Sequence, residues 1–145
     1  MTRLSRLPNV TGVKDATGNL ARVSAQRQSC GEEFIQLSGN DDMALGFNAM
    51  GGVGCISVTA NVAPRLCSEF QAATREGRWD DALKLQDRLY PLHAALFTDA
   101  SPGPVKYALS KVRPGFPAEL RPPMTEPSAA SKAAVDAALT HAGLN

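Results

Sequence analysis

The sequence has no surplus of charge, no long apolar run, no paired-cysteine motif and only two histidines, and each shortage removes a class of function. Its 15 lysines and arginines against 14 aspartates and glutamates leave a net charge of +1, and no local basic run makes up the difference. A chain that follows a phosphate backbone needs a basic stripe, so nucleic acid is not the expected partner. No stretch approaches the ~20 consecutive apolar residues of a membrane span. The opening Met1 to Arg6 leads into Leu7-Pro8-Asn9 rather than into the apolar core of a secretion signal. No membrane partner is expected, and the reading is cytoplasmic. Cys30, Cys55 and Cys67 are odd in number and lack C-x-x-C spacing, which predicts free, mostly buried thiols of a reducing compartment. His93 and His141 lie far apart on predicted helices, each expected at the helix surface, so no metal site is expected.

What remains is an ordinary composition, 43% hydrophobic and 20% charged over 145 residues, enough for a real core. β-Branched residues and turn signals predict a first strand over Val10 to Lys14, after Leu7-Pro8-Asn9. Asn19 is placed to cap a helix carrying Leu20, Val23 and Arg27 on one side and ending near Cys30-Gly31. Phe34 to Leu37 reads as a second strand with Ser38-Gly39 as its exit. Asn40, Asp41 and Asp42 sit at the start of a helix reaching Met50, where their oxygens and charge suit the free N–H groups. Gly54 to Val58 reads as a third strand. Gly52-Val53-Gly54 follows a helix and precedes a strand, the reverse of a phosphate-cradling turn, so a dinucleotide is not expected. The order strand, helix, strand, helix, strand predicts an α/β fold with a parallel sheet.

Beyond Thr59 the strand signals stop. Asn61 is the expected cap of a helix carrying Val62, Leu66, Phe70 and Ala73, closed by Gly77. From Trp79, expected as a packing anchor, a second helix carries Leu83, Leu85, Leu89 and Leu92 towards Phe97, with a kink expected at Pro91. Pro102 and Pro104 suit the first turn of a helix through Val105 and Leu109. An extended Pro-rich segment, 114–127, leads to a last helix capped at Ser128 and running through Val135 and Leu139 to Gly143.

The run Val10-Thr11-Gly12-Val13-Lys14-Asp15-Ala16-Thr17-Gly18 carries the candidate chemistry. It delivers one lysine to the C-terminal end of a strand. An ammonium drawn into a partly apolar site loses hydration, its pKa falls, and a nucleophilic amine becomes accessible for Schiff-base formation with a carbonyl. The same pattern also fits a lysine that reaches water along an apolar stem.

Taken together, Gly12 to Leu20, Leu37-Ser38-Gly39 with the acidic residues after it, Gly51 to Asn61, Arg88 to His93, Pro104 to Ala108 and Ala138 to Asn145 make the sequence resemble the C-terminal half of the 4-hydroxy-tetrahydrodipicolinate synthase (dihydrodipicolinate synthase) family of pyruvate-dependent aldolases and lyases. That family folds as a (β/α)₈ TIM barrel with a C-terminal helical domain, and such a barrel takes about 250 residues. The resemblance implies a partial barrel: residues 1–60 as its last three βα units, strands six to eight, and 61–145 as the barrel-closing helix and helical domain. It implies that Lys14 forms the imine with pyruvate, that Gly39 lines the pyruvate pocket, and that the main chain of Ile56 borders it. Thr17 and Asn61 fall on nearby rims and receive no catalytic role. The implied reaction condenses pyruvate with L-aspartate semialdehyde in lysine and diaminopimelate biosynthesis, without a cofactor, in a family that is commonly homo-oligomeric.

The family's tyrosine proton relay, the threonine pair that holds the pyruvate carboxylate and the entrance arginine all precede the lysine and have no counterpart in these 145 residues. The chain alone is therefore expected to be inactive. Two other readings remain: a piece of a sibling such as N-acetylneuraminate lyase or a keto-deoxy sugar acid aldolase, or a non-catalytic half-barrel. Asn40 stands where the family often has an acid.

Overall fold

Two parallel strands with their helices come first and helices alone follow, in a computed structural model that describes residues 1–144. Asn145, the end of the terminal matched run, lies outside the described residues. Strand β1 spans Gly12–Asp15 and β2 spans Ile35–Ser38, each displaced by one or two residues from expectation. They pair in parallel with Lys14 opposite Leu37 and Asp15 opposite Ser38. Helix α1, Ala21–Cys30, makes the crossover, and Asn19 Oδ1 accepts the Ala21 N–H at 3.1 Å, as the cap reading requires.

Successive side chains on a strand face opposite ways, and β1 divides its chemistry accordingly. Asp15 is buried on the helix side, whereas Lys14 is exposed on the other. The Asp15 carboxylate accepts from the Thr17 hydroxyl at 2.6 Å and N–H at 2.9 Å, from Arg22 Nε at 2.8 Å and from Gln26 Nε2 at 3.0 Å. Burial alone would raise the pKa of this carboxyl. The donors from Thr17, Arg22 and Gln26 outweigh burial and bring it from the ordinary 3.8 down to about 2. Ionisation of Asp15 therefore stabilises the fold by about 2 kcal/mol above pH 4, a contribution lost as pH falls through the folded value. Urea midpoints compared at neutral pH and near pH 2 should show this loss in the wild type, and Asp15→Asn should remove that part of the pH dependence.

The third strand is shorter than expected. Ser38 makes a single parallel bridge to Cys55, supported by Val53 N–H to Gln36 O at 3.0 Å, Ser38 N–H to Gly54 O at 2.9 Å and Ile56 N–H to Ser38 O at 2.8 Å. Pairing stops there because the chain turns away at Ser57 into a 3-10 turn, Thr59–Asn61. The acidic helix start also differs. Asp41–Met43 is a 3-10 turn leading into α2, Ala44–Ala49, and no side chain of Asn40 or Met43 caps either element.

Helices α3 (Pro64–Arg75), α4 (Trp79–Ala95), α5 (Gly103–Val112) and α6 (Ala129–Ala142) form the rest. Leu66, Leu89, Leu92, Val105, Val135 and Leu139 meet in one core between them. Phe70, Ala73 and Ala82 pack instead on Ala44 of α2, so that α3 and α4 join the helical part to the βα units. Asn61 does not cap α3; its amide donates to Val58 O at 2.9 Å, and Pro64, which has no N–H to satisfy, opens the helix. Pro91 lies inside α4, which runs on to Ala95. Trp79 is no packing anchor: it stands 42% exposed in the first turn of α4. Leu83 is also exposed, because the buried stripe of α4 runs through Ala82, Gln86, Leu89 and His93.

Ser128 caps α6 by accepting the Ser131 N–H at 3.2 Å, and Gly143 ends it in the left-handed conformation with φ 70°. Ser128→Ala is expected to cost about 1 kcal/mol, read as a lowered urea midpoint with an unchanged slope.

Candidate active site

Three adjacent parallel segments end on one rim of the sheet, and each contributes one of the expected residues. Lys14 is the third residue of β1; Gly39 follows β2 and donates its N–H to Asp15 O at 2.8 Å; Ile56 donates to Ser38 O at 2.8 Å. Main-chain bonds thus lock Gly39 beside Lys14 and Ile56 beside Gly39. The approach at Gly39 is close enough to exclude a side chain. A Cβ there would lie 2.7 Å from Ala16 Cβ and 2.8 Å from Lys14 Cε; the lysine stem can swing aside but Ala16 is fixed to the main chain, so glycine is required by the exit of β1 and lies directly against the lysine.

The dehydration expected at Lys14 is not supplied by this chain. Its side chain is exposed, Ile56 is 47% exposed and Ile35, on the same face of the sheet, is 45% exposed. The reason is geometric: the helices cover the Asp15 side of the sheet, and among the described residues no further strand pairs with the free edge of β1. The inner face is apolar and open around the amine.

The ammonium group of Lys14 is nonetheless distinctive. Lys84 faces Asp81 at 3.7 Å, Lys132 pairs with Glu126 at 3.0 Å, Lys106 donates to Glu119 O and Lys111 stands 5.0 Å from the Tyr107 ring. Among the described residues, Lys14 is the only lysine whose ammonium has no such partner. It stands free at the rim, against Gly39 and beside Ile56.

Behind the sheet lies a separate cavity of about 320 Å³, lined by Asp41, Cys55, Ser57, Cys67 and His93 among others. Lys14, Gly39 and Ile56 do not line it. Burial, reinforced by the Asp41 charge, pushes the Cys55 thiol up to about 12 and the Cys67 thiol up to about 11. Both stay protonated near neutrality and are poor nucleophiles. All three cysteines are half-buried rather than mostly buried, Cys67 and Cys55 because each packs on the margin of a core. His93 departs from expectation: it is 5% exposed, with Nδ1 2.7 Å from the Thr59 hydroxyl. Burial lowers its pKa, against the pull of Asp41 and Asp42. His141 is exposed at the end of α6, as expected.

Two features escaped the sequence reading. The Asp15–Thr17 bond had a local signal, an aspartate whose side chain reaches the backbone two residues on. The Asp41 carboxylate, read as a helix cap, turns instead to residues 57–59, and no local spacing announces that contact. Thr17 serves the Asp15 network.

Comparison with known proteins settles the lineage. A profile of the Dihydrodipicolinate synthetase family matches residues 1–142. The chain belongs to this family. It is 71% identical over 141 residues to the 4-hydroxy-tetrahydrodipicolinate synthase of Rhizorhabdus wittichii, covering 97% of this chain and 48% of that protein. Against the enzyme of the same name from Zymomonas mobilis it is 68% identical over 144 residues, covering 99% of this chain and 50% of the relative. The family chain therefore spans about half the length of these curated relatives. Among solved structures, dihydrodipicolinate synthase from Aquifex aeolicus superposes with a TM-score of 0.92 at 34% identity, over 99% of this chain and 49% of that one. The chloride-inhibited synthase from Acinetobacter baumannii, complexed with pyruvate, gives 0.91 at 34% identity over the same shares. Such likeness over the whole chain makes the paired strands and their helices part of a TIM barrel.

Proposed function

We propose that this chain is the lysine-bearing portion of a 4-hydroxy-tetrahydrodipicolinate synthase, with Lys14 as the amine that forms an imine with pyruvate. Residues 1–60 are read as the last three βα units of the barrel, and 61–145 as the closing helix and a helical C-terminal domain. The observation that carries this reading is the rim itself: the one lysine with an unengaged ammonium stands against Gly39 and beside Ile56, at the C-terminal ends of parallel strands, where barrel enzymes hold their chemistry.

The chemistry follows from the amine. Lys14 Nζ attacks the keto carbon of pyruvate and water leaves, giving an imine that withdraws electrons. The methyl carbon then loses a proton to become an enamine, which adds to the aldehyde of L-aspartate semialdehyde. Cyclisation releases the lysine. The product serves lysine and diaminopimelate biosynthesis. Neither metal nor cofactor takes part in these steps, and the pyruvate complex of the Acinetobacter relative supports this choice of first substrate.

Proton transfer and carboxylate binding need groups that these residues do not bring to the rim. Tyr107 directs its hydroxyl to Asp136 of α6 at 3.0 Å, and Tyr90 is exposed on α4. A half-barrel that is inert by itself is thus the second reading for the chain acting alone, favoured by the exposure of Lys14. The open apolar face and free strand edges suit association with the remainder of a barrel, as in a commonly oligomeric family. Borohydride reduction in the presence of pyruvate, followed by peptide mass analysis, should find the reduced adduct on Lys14. Folded protein with Lys14 unmodified would overturn the assignment.

A further inference from the structure

We propose that Asp41 is a positioning residue of the Lys14 site, holding the main chain of Ile56 at the rim through Ser57, Val58 and Thr59. This rests on the reading of Lys14 as the imine-forming amine. Ile56 is anchored to the sheet from one side only. Its N–H reaches Ser38 O, but the ladder ends at the Ser38–Cys55 bridge, and no strand pairing fixes the peptide that leaves Ile56. Something else must set where its carbonyl points.

The Asp41 side chain supplies that restraint. It is buried two residues beyond Gly39, and a buried carboxylate persists only where donors surround it. Ser57 donates its hydroxyl to Oδ1, and the N–H groups of Val58 and Thr59 reach Oδ2 at 2.9 and 3.3 Å. These three donors come from the three residues immediately after Ile56. The two N–H groups belong to the start of the Thr59–Asn61 turn, where no carbonyl within the turn can serve them. The carboxylate thus caps a turn other than its own and ties the exit of one strand to the exit of the next.

The far side of the clamp is closed as well. Ser57 Oγ accepts the Ala60 N–H at 2.8 Å while donating to Asp41. Thr59, fully buried, pairs through its hydroxyl with His93 Nδ1 at 2.7 Å, which binds the turn to α4. Residues 57–60 are therefore held between the Gly39 exit and the helical part, and Ile56 is fixed between that turn and Ser38. Asp41 has no contact with Lys14; its effect passes through the Ile56 peptide.

The test compares wild type, Asp41→Asn and Ser57→Ala, with Asp42→Asn as control, because the Asp42 carboxylate is exposed, makes no hydrogen bond to residues 57–59 and acts on His93 only through its charge. Two quantities are read: amide exchange at Ile56, Val58 and Thr59, and the pyruvate dependence of borohydride labelling at Lys14. Asp41→Asn weakens charge-assisted bonds, so exchange at Val58 and Thr59 should rise about tenfold, and half-maximal labelling should need about tenfold more pyruvate. Labelling at saturating pyruvate should be unchanged, a split that general loss of structure would not give. Ser57→Ala, which removes one donor and leaves the carboxylate charged, should move both quantities the same way by a smaller factor, and it serves if Asp41→Asn fails to fold. Asp42→Asn should move neither. Unchanged exchange, or raised exchange with an unchanged pyruvate dependence, would overturn the role of Asp41 while leaving Lys14 in place. A wild type that is never labelled at Lys14 would overturn the reading of the lysine, and the positioning role with it.

Discussion

Lys14→Ala abolishes pyruvate-dependent borohydride labelling of this chain, leaving only the slow background of surface amines. The expectation follows from how the five lysines are disposed. Four have their ammonium groups on a carboxylate, a carbonyl or a tyrosine ring, and each must give up that partner before its nitrogen can attack. Lys14 has no such partner and need give up only its proton, and its stem passes close against Gly39. Lys14→Arg is the sharper variant: it keeps the charge and the long stem but cannot form the imine, so it should fold and still show no label. Circular dichroism and the urea midpoint, unchanged from wild type, would separate this loss from unfolding. A label that persists in either variant would assign the chemistry to another lysine.

Gly39→Ala should have the next largest effect. The added methyl would stand 2.7 Å from Ala16 Cβ and 2.8 Å from Lys14 Cε. The lysine stem can swing aside, but Ala16 Cβ is fixed to the main chain, so the loop after β1 must shift. Overpacking of this kind costs about 1–3 kcal/mol. The displaced lysine should also label at least about tenfold more slowly at fixed pyruvate, the equivalent of about 1.4 kcal/mol in its placement. Gly54→Ala provides the comparison. Its methyl would meet only the flexible end of Leu37, at 3.2 Å, so the stability loss and the slowing should both be smaller. Equal behaviour of the two variants would mean that contact with Lys14 does not matter at Gly39.

The sequence made some of this legible for physical reasons that differ from residue to residue. The strand and helix order up to residue 50 follows from β-branched runs broken by turn residues, and Asn19 and Ser128 cap because their side chains act locally. The lysine, the glycine and the isoleucine of the rim were legible through family motifs, and main-chain bonds bring those three together. What was lost depends on contacts far apart in the chain. The third strand shrinks to a bridge because Asp41, 16 residues before Ser57, draws residues 57–59 into its own hydrogen bonds. His93 is buried because Thr59, 34 residues away, receives it. Leu83 and Trp79 face solvent because α4 turns Ala82 and Gln86 inwards, a choice of phase that an apolar-rich helix leaves open. The exposure of Lys14 has the same character. Whether other segments cover that amine is not written in the local sequence around the lysine.

Imine formation without turnover is the central expectation, and assaying both on one preparation tests it most directly. Purified chain is given pyruvate and L-aspartate semialdehyde; one portion is reduced and mapped by peptide mass analysis, and the other is assayed for condensation product. A reduced pyruvyl adduct on Lys14 with no product above background is the predicted result, since the amine stands at the rim and, among the described residues, both tyrosines lie elsewhere, Tyr107 on Asp136 and Tyr90 on α4. Sustained product formation by the chain alone would contradict the account.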